Sequence, residues 1–273
     1  PQQVTQLFDG KFMAFGLTND EIVALVPPNT QLIGVSCMFS QDWPVIRRLI
    51  VALRRAFPDA VIATGGEHIT AVREFTLDST PEVDLCGLGE GEETIVAIAN
   101  ALEQETPLDE VTGIFLRKDG APHFTGNRKR IRALDEIPKP AWDLVPLENY
   151  LGNDLGYGVH RGRSMPMLAT RGCPYQCTFC SSPTMWTTSW YARDPDLVLD
   201  EIEDYMARYN ATNIDFYDLT AIVKRSWIIE FTTKILERGL NFTWQLPSGT
   251  RSEAIDAEVS RLLYASGCRN TSY

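Results

Sequence analysis

From Gln31 onward the sequence alternates short apolar runs with amphipathic stretches, and this alternation constrains the fold more than any other feature. The runs "QLIGVS" (31–36), "AVIATGG" (60–66) and "EVDLCG" (82–87) have the length and composition of buried strands. Between the first two lies "PVIRRLIVALRRAF". Its apolar residues Val45, Ile46, Leu49, Ile50, Leu53 and Phe57 recur at helical spacing behind Pro44, a residue suited to a helix's first turn. "ITAVREFTL" is a weaker helix, and "EETIVAIANAL" is a helix opening after Gly91. "TGIFLRKDGAPHFTG" reads as a hairpin turning at Asp119-Gly120. Strands that alternate with helices across short loops predict a parallel sheet covered on both faces, an α/β fold of doubly wound type.

The alternation fades over residues 127–163, where Pro138, Pro140, Pro146 and the glycines of "GNDLGYG" punctuate the chain. This stretch reads as a linker between a first domain (1–126) and a second (164–273). In the second, "PMLATR", "NIDFYD", "FTWQL" and "CRNTSY" are strands. "PDLVLDEIEDYMARY" is a helix with Asp194 as N-cap and Val198, Ile202, Tyr205 and Tyr209 on one face. "SWIIEFTTKILERG" and "DAEVSRLLYASG" are helices stopped by Gly239 and Gly267. Successive βα repeats of this kind predict part of a (β/α) barrel. The barrel ends at its fourth strand and the first sheet lacks an expected leading strand, so the chain reads as truncated at both ends.

Composition fits a soluble globular chain, with 44% hydrophobic and 22% charged residues, and no apolar run approaches the roughly 18 residues of a membrane span. The formal charge of −11 argues against a nucleic-acid binder. The basic stretch "RKRIR" (128–132) reads as a solvated linker segment. The opening residues "PQQVTQLFDG" lack the basic-then-apolar pattern of a signal peptide. Cys37, Cys86 and Cys268 sit beside apolar runs as buried thiols, and a reducing cytoplasm is the natural compartment.

The remaining three cysteines lie in "RGCPYQCTFCSSP" (171–183), spaced C-x3-C-x2-C. Structural zinc takes four ligands, and the nearest further candidates, His160 and Cys268, have no zinc-knuckle spacing. A disulfide would strand one thiol. An iron–sulfur cluster on three thiolates would leave one iron open to an outside ligand, as a reactive site requires. The loop follows the first strand of the barrel-like half, at the end where such barrels build active sites. Tyr175 and Phe179 offer shielding from water.

"TRGCPYQCTFCSSP" strongly resembles the radical S-adenosylmethionine (radical SAM) enzymes. The resemblance implies that Cys173, Cys177 and Cys180 bind a [4Fe–4S] cluster whose open iron chelates S-adenosylmethionine. One electron then cleaves the sulfonium to a 5′-deoxyadenosyl radical, chemistry that belongs to the cofactors. It further implies S-adenosylmethionine contacts from Phe179, between the last two cysteines, and from Asp218, Arg251 and Ser272 at strand ends. The family's "GGE" after the second strand is absent, and this chain has "FYDLTAIVK" there.

Ser36-Cys37-Met38, Gly65-Gly66 and Gly89-Glu90-Gly91 follow the strands of the first domain, where open α/β sheets bind ligands. Together they resemble the cobalamin-binding domain fused to radical SAM barrels, as does the linker "EIPKPAWDLVPLENY". This implies cobalamin contacts from Ser36, Met38, Gly65, Gly66, Glu67, His68, Gly89, Glu90 and Gly91. The D-x-H-x-x-G motif is missing, so cobalt is expected to be held without a protein histidine. His68 is expected near the nucleotide tail or solvent.

The resemblance points to a cobalamin-dependent radical SAM methyltransferase acting on an unactivated carbon of a small molecule. An electron donor such as flavodoxin or ferredoxin is implied. "GCPYQCTFCSSPTMW" and "RDPDLVLDEIEDYM" look most like the branch containing the anaerobic magnesium-protoporphyrin monomethyl ester cyclase, so oxidative cyclisation or rearrangement is the alternative. A non-catalytic iron–sulfur or cofactor-binding module is a third reading.

Overall fold

The structure, a computed structural model, describes residues 4–7, 10, 12–153, 156 and 158–273. The chain divides into two compact units, 1–130 and 131–273.

The first unit opens with an antiparallel pair, β1 (Val4–Leu7) and β2 (Phe12–Phe15), and helix α1 (Asn19–Leu25). A capping box starts α1: the Glu21 N–H donates to Thr18 Oγ1 at 3.3 Å, and the Thr18 N–H donates to the Glu21 carboxylate at 2.8 Å. The main sheet follows as β3 (Leu32–Ser36), α2 (Trp43–Ala56), β4 (Val61–Gly65), α3 (Glu67–Ser79), β5 (Leu85–Gly87), α4 (Glu92–Glu103), β6 (Ile114–Lys118) and β7 (Ala121–Phe124). Strands β3, β4 and β5 are parallel neighbours, and β6 and β7 add antiparallel. The β6–β7 turn lies at Asp119 and Gly120, both with positive φ, as the DG pair predicts.

Alternate strand residues feed two cores. Ile33, Ile62, Cys86 and Phe115 pack with Ile50 and Leu53 of α2 and Ile69 and Leu77 of α3. Ala63, Leu85, Ile114 and Leu116 pack with Ile98 and Ala101 of α4. Helices therefore cover both faces of the sheet, and the carboxyl ends of β3, β4 and β5 share one edge.

The second unit contains α5 (Leu147–Leu151), β8 (Ser164–Met167), β9 (Thr170–Arg171), α6 (Ser182–Trp186), β10 (Tyr191–Ala192), α7 (Pro195–Tyr209), β11 (Asn213–Phe216), α8 (Arg225–Glu237), β12 (Thr243–Leu246), α9 (Ala257–Ala265) and β13 (Cys268–Thr271). Strands β8, β11, β12 and β13 lie side by side, all parallel and in chain order, as a section of barrel wall does. Asp194 caps α7 by accepting from the Asp196 N–H at 2.8 Å, and Pro195 stands at the first helical position. The helix-facing side chains of the strands meet α7 and α8 in a core where Phe216, Phe231 and Trp244 contact one another edge to face at 5.7 Å.

The proline-rich stretch from Ile131 belongs to this second unit, and Trp142, Leu147 and Leu151 pack against its core. Part of the basic stretch expected to be solvated is instead engaged within the first unit. Arg128 donates to the Thr112 carbonyl at 3.0 Å, and Arg130 pairs with Glu90 at 2.8 Å. Cys37, Cys86 and Cys268 are buried as expected, and burial pushes each thiol up to about 11. Among the described residues no helix is long and apolar enough to cross a membrane.

Candidate cofactor sites on the two units

In the second unit β9 and β10 pair antiparallel, Tyr191 opposite Arg171 and Ala192 opposite Thr170. This short ribbon closes the base of a loop that carries all three motif cysteines. Gly172 enters the loop with φ near +90°, a conformation costly for any other residue. The Cys180 N–H donates to the Cys177 carbonyl at 3.0 Å, so a single turn carries both thiols. All three cysteines are free, Cys173 and Cys177 half-buried and Cys180 exposed.

The segment after β11 fastens this loop at both ends. Asp218 is buried, and its carboxylate accepts from the Ala169 N–H at 3.3 Å and from the Thr170 hydroxyl. Trp190, at the loop's far end, donates its indole N–H to the Thr220 carbonyl at 2.9 Å. The Thr220 hydroxyl donates to Cys173 Sγ at 3.2 Å, and the Ser182 N–H donates to Cys180 Sγ at 3.4 Å. Next around the wall, the Arg251 guanidinium lies over the Tyr175 ring at 4.2 Å. The Thr250 N–H donates to the Ser272 carbonyl at 2.9 Å. The ends of β8, β11 and β12 thus converge on the cysteine loop, and the end of β13 is bonded to the segment after β12.

Asp218, expected to touch the ribose or methionine part of a ligand, has its buried carboxylate on the backbone and hydroxyl at the loop's entry. Phe179, expected to shield the cysteines, is 92% exposed, projecting from the loop into solvent. Ser272 engages through its backbone, and Arg251 stands beside the loop, over the Tyr175 ring.

Burial raises the Asp218 pKa from 3.8 to about 6, against hydrogen bonds from Thr170 and the backbone that lower it. A carboxyl raised on folding holds its proton longer in the folded chain, so its contribution to stability falls as pH rises from about 4 to about 6. The wild type should therefore lose up to about 3 kcal/mol relative to Asp218→Asn between pH 4 and pH 7. Urea unfolding of both proteins across that range measures the difference. A constant difference would mean the carboxylate is adequately solvated by its partners.

Three thiols on one loop, with an O–H and an N–H aimed at two of the sulfurs and, among the described residues, no carboxylate hydrogen-bonded to them, form a soft donor set. Such a set suits an iron–sulfur cluster in its chemistry. Among the described residues no three His, Cys, Asp or Glu side chains are gathered as in a closed metal site, so the loop would draw in around the group it holds.

In the first unit the loops after β3, β4 and β5 meet at the sheet edge. Cys37 is buried and donates its N–H to the Gly65 carbonyl at 2.8 Å, while Ser36 and Met38 on either side are exposed. Gly66 has φ +103°, and a Cβ there would stand 2.4 Å from the Cys37 carbonyl oxygen. Gly65 has room, its nearest neighbour at 3.7 Å being the Gly87 carbonyl oxygen. Around Gly89 and Gly91 nothing lies within 4 Å of an added Cβ. Thr70, which the sequence did not single out, ties two of these loops together. Its hydroxyl donates to the Gly66 carbonyl at 2.9 Å and accepts from the Gly89 N–H at 3.0 Å.

Glu67 is half-buried as the first residue of α3. His68 is buried rather than facing solvent. It shares a 2.8 Å hydrogen bond between Nδ1 and Ser40 Oγ, and its ring lies 5.3 Å from that of Trp43. Burial lowers its pKa from 6.5, so it is neutral at pH 7. Glu90, expected to contact cobalamin, instead has its carboxylate buried against Arg130, with side-chain exposures of 4% and 11%. A partner 40 residues away in sequence takes it.

An α/β unit with an open, glycine-lined sheet edge, and a parallel wall whose strand ends support a three-thiol loop, define a protein built to hold cofactors. Residues 8–99 match the family of B12 binding domains. An uncharacterised methyltransferase of Pyrococcus horikoshii is 25% identical over 96% of this chain and 55% of its own length. The anaerobic magnesium-protoporphyrin IX monomethyl ester cyclase of a Synechocystis strain is 29% identical over 92% of this chain and 49% of its own. Among solved structures, the radical S-adenosylmethionine methyltransferase TsrM from Kitasatospora setae superimposes with a TM-score of 0.71 at 19% identity, covering 92% of this chain and 49% of that one. The cobalamin-dependent S-adenosylmethionine radical enzyme OxsB gives 0.74 at 21% identity, over 93% and 36%. The first unit thus carries a match to the B12 binding domain family, and the chain shares its fold with structures of radical S-adenosylmethionine enzymes, in keeping with what its motifs imply. It spans about half the length of the curated relatives it matches.

Proposed function

We propose that this chain is the cofactor-holding part of a cobalamin-dependent radical SAM methyltransferase. The observation that carries the reading is the three-thiol loop at the strand ends of the second unit, in a chain whose likeness to a methyltransferase covers 96% of its length. Cys173, Cys177 and Cys180 would hold a [4Fe–4S] cluster. Arg251 and the exposed ring of Phe179 lie on or beside that loop, where S-adenosylmethionine would lie against the open iron. Asp218 and Trp190 keep the loop's two ends in place. Ser36, Met38, Gly65, Gly66, Gly89 and Gly91 line the sheet edge that would take cobalamin. When bound, the cluster supplies the electron that cleaves S-adenosylmethionine, and cobalamin supplies the methyl group. The electron would come from a flavodoxin- or ferredoxin-like donor, and the acceptor would be a small molecule.

Anaerobic reconstitution should load about four irons per chain. Cys173→Ala, Cys177→Ala and Cys180→Ala should each reduce this to near background and abolish reductive S-adenosylmethionine cleavage. Stoichiometric zinc without iron in the wild type would sink the proposal.

The likeness to the cyclase, at 29% identity, supports a second reading in which the same cofactors drive ring-forming oxidation. Incubation of the whole protein with methyl-labelled S-adenosylmethionine separates the two. Label in the product supports methyl transfer, and an unlabelled product that has lost hydrogen supports cyclisation.

A further inference from the structure

We propose that the Thr220 hydroxyl is a positioning and tuning residue that raises the reduction potential of the cluster held by Cys173; this rests on the cluster reading given above. The Thr220 hydroxyl donates to Cys173 Sγ at 3.2 Å, across 47 residues of sequence. Thr220 is buried, so water does not compete for its hydroxyl, and Cys173 is half-buried.

Its backbone is fixed from both sides. The Trp190 indole N–H donates to the Thr220 carbonyl at 2.9 Å, and the Ile222 N–H donates to Thr250 Oγ1 at 3.1 Å. Two residues earlier, Asp218 is locked onto Ala169 and Thr170. The hydroxyl is therefore held at the sulfur by the same segment that fastens the loop.

A donor hydrogen bond to a ligating thiolate withdraws electron density from it. It therefore favours the state carrying one more electron, and hydrogen bonds to cluster sulfurs are an established determinant of potential. The added electron arrives from a low-potential one-electron donor and remains on the cluster in the reduced state. A bond from a neutral hydroxyl, strengthened by burial, should change the reduced-to-oxidised ratio about tenfold at a fixed potential, which is about 59 mV for one electron.

The test is an EPR-monitored redox titration of anaerobically reconstituted full chain, as wild type, Thr220→Val and Thr220→Ser, with iron counted in each. The expected result is equal iron in all three, a midpoint about 59 mV more negative in Thr220→Val, and a value near wild type in Thr220→Ser. Equal midpoints in wild type and Thr220→Val overturn the inference while the cluster reading stands. So does a Thr220→Val protein that unfolds at the wild-type urea concentration but takes up no iron, since Thr220 would then serve assembly. Absence of a cluster from the wild type overturns the cluster reading itself, and this inference with it.

Discussion

Gly66→Ala is expected to destabilise the first unit by about 4 kcal/mol, the upper range for a single substitution. Gly65→Ala is expected to stay within about 1 kcal/mol of wild type. The two glycines are adjacent and look equivalent in sequence, but their surroundings differ. Gly66 has φ +103° and ψ −179°, a region that is essentially glycine-only, and a Cβ there would stand 2.4 Å from the Cys37 carbonyl oxygen and 2.8 Å from its carbon. Both obstacles are backbone at the end of β3, which is held by the 2.8 Å bond from the Cys37 N–H to the Gly65 carbonyl. Neither can swing aside as a flexible side chain would. Relief would require opening the β3–β4 edge and losing the Thr70 bond to the Gly66 carbonyl. At Gly65 the nearest atom is 3.7 Å away, an ordinary contact. Urea unfolding of the full chain gives the stabilities. The same pair of sites also separates fold from binding: Gly65→Val should keep the fold and lose anaerobic cobalamin uptake, because its side chain would occupy the edge the cofactor approaches. A Gly65→Val protein that takes up cobalamin as well as wild type would remove this loop from the cobalamin site.

The elements were legible because their signals are local. The bounds of α7 follow from Asp194, Pro195 and a 3.6-residue apolar period, and the β6–β7 turn follows from one Asp-Gly pair. The cysteine loop was legible as a spacing. What it rests on was not. Thr220 meets Cys173 across 47 residues, Trp190 meets Thr220 across 30, and Glu90 meets Arg130 across 40. None of these pairings leaves a periodicity or a motif. A glutamate in a "GEGE" loop reads as available to a ligand until the arginine that neutralises it is known, and an aspartate at a strand end reads as facing the mouth until its carboxylate is seen on Ala169 and Thr170. Likewise the proline-rich stretch reads as a linker, because proline and fading periodicity mark irregular backbone whether or not it is packed. Its Trp142 is docked by an indole N–H donated to Tyr205 Oη at 3.0 Å, on a helix more than sixty residues later.

That docking leads to the second large effect. Arg193→Leu is expected to cost the second unit about 3–5 kcal/mol, because it leaves a buried carboxylate without its counter-charge. Arg193 Nη2 lies 2.7 Å from Glu201 Oε2, with side-chain exposures of 16% and 3%. Glu201 also accepts from the Tyr205 hydroxyl, which in turn accepts from Trp142. Arg193 reaches further, to the Asp135 carboxylate at 3.3 Å and the Leu168 carbonyl at 3.3 Å, so one guanidinium joins the docked proline-rich stretch, the end of β8 and helix α7. Without it, the Tyr205 hydroxyl alone cannot balance a charge so far from water. Replacing both partners removes the buried charge, so Arg193→Leu with Glu201→Leu should recover most of the loss, while Glu201→Leu alone leaves an arginine that still has Asp135 and should cost less than Arg193→Leu. The cycle is read by urea unfolding of the four proteins, followed through tryptophan fluorescence. If the double variant is no more stable than Arg193→Leu, the cost lies in the lost bonds to Leu168 and Asp135 and in packing of the arginine stem, and the uncompensated carboxylate is not its source.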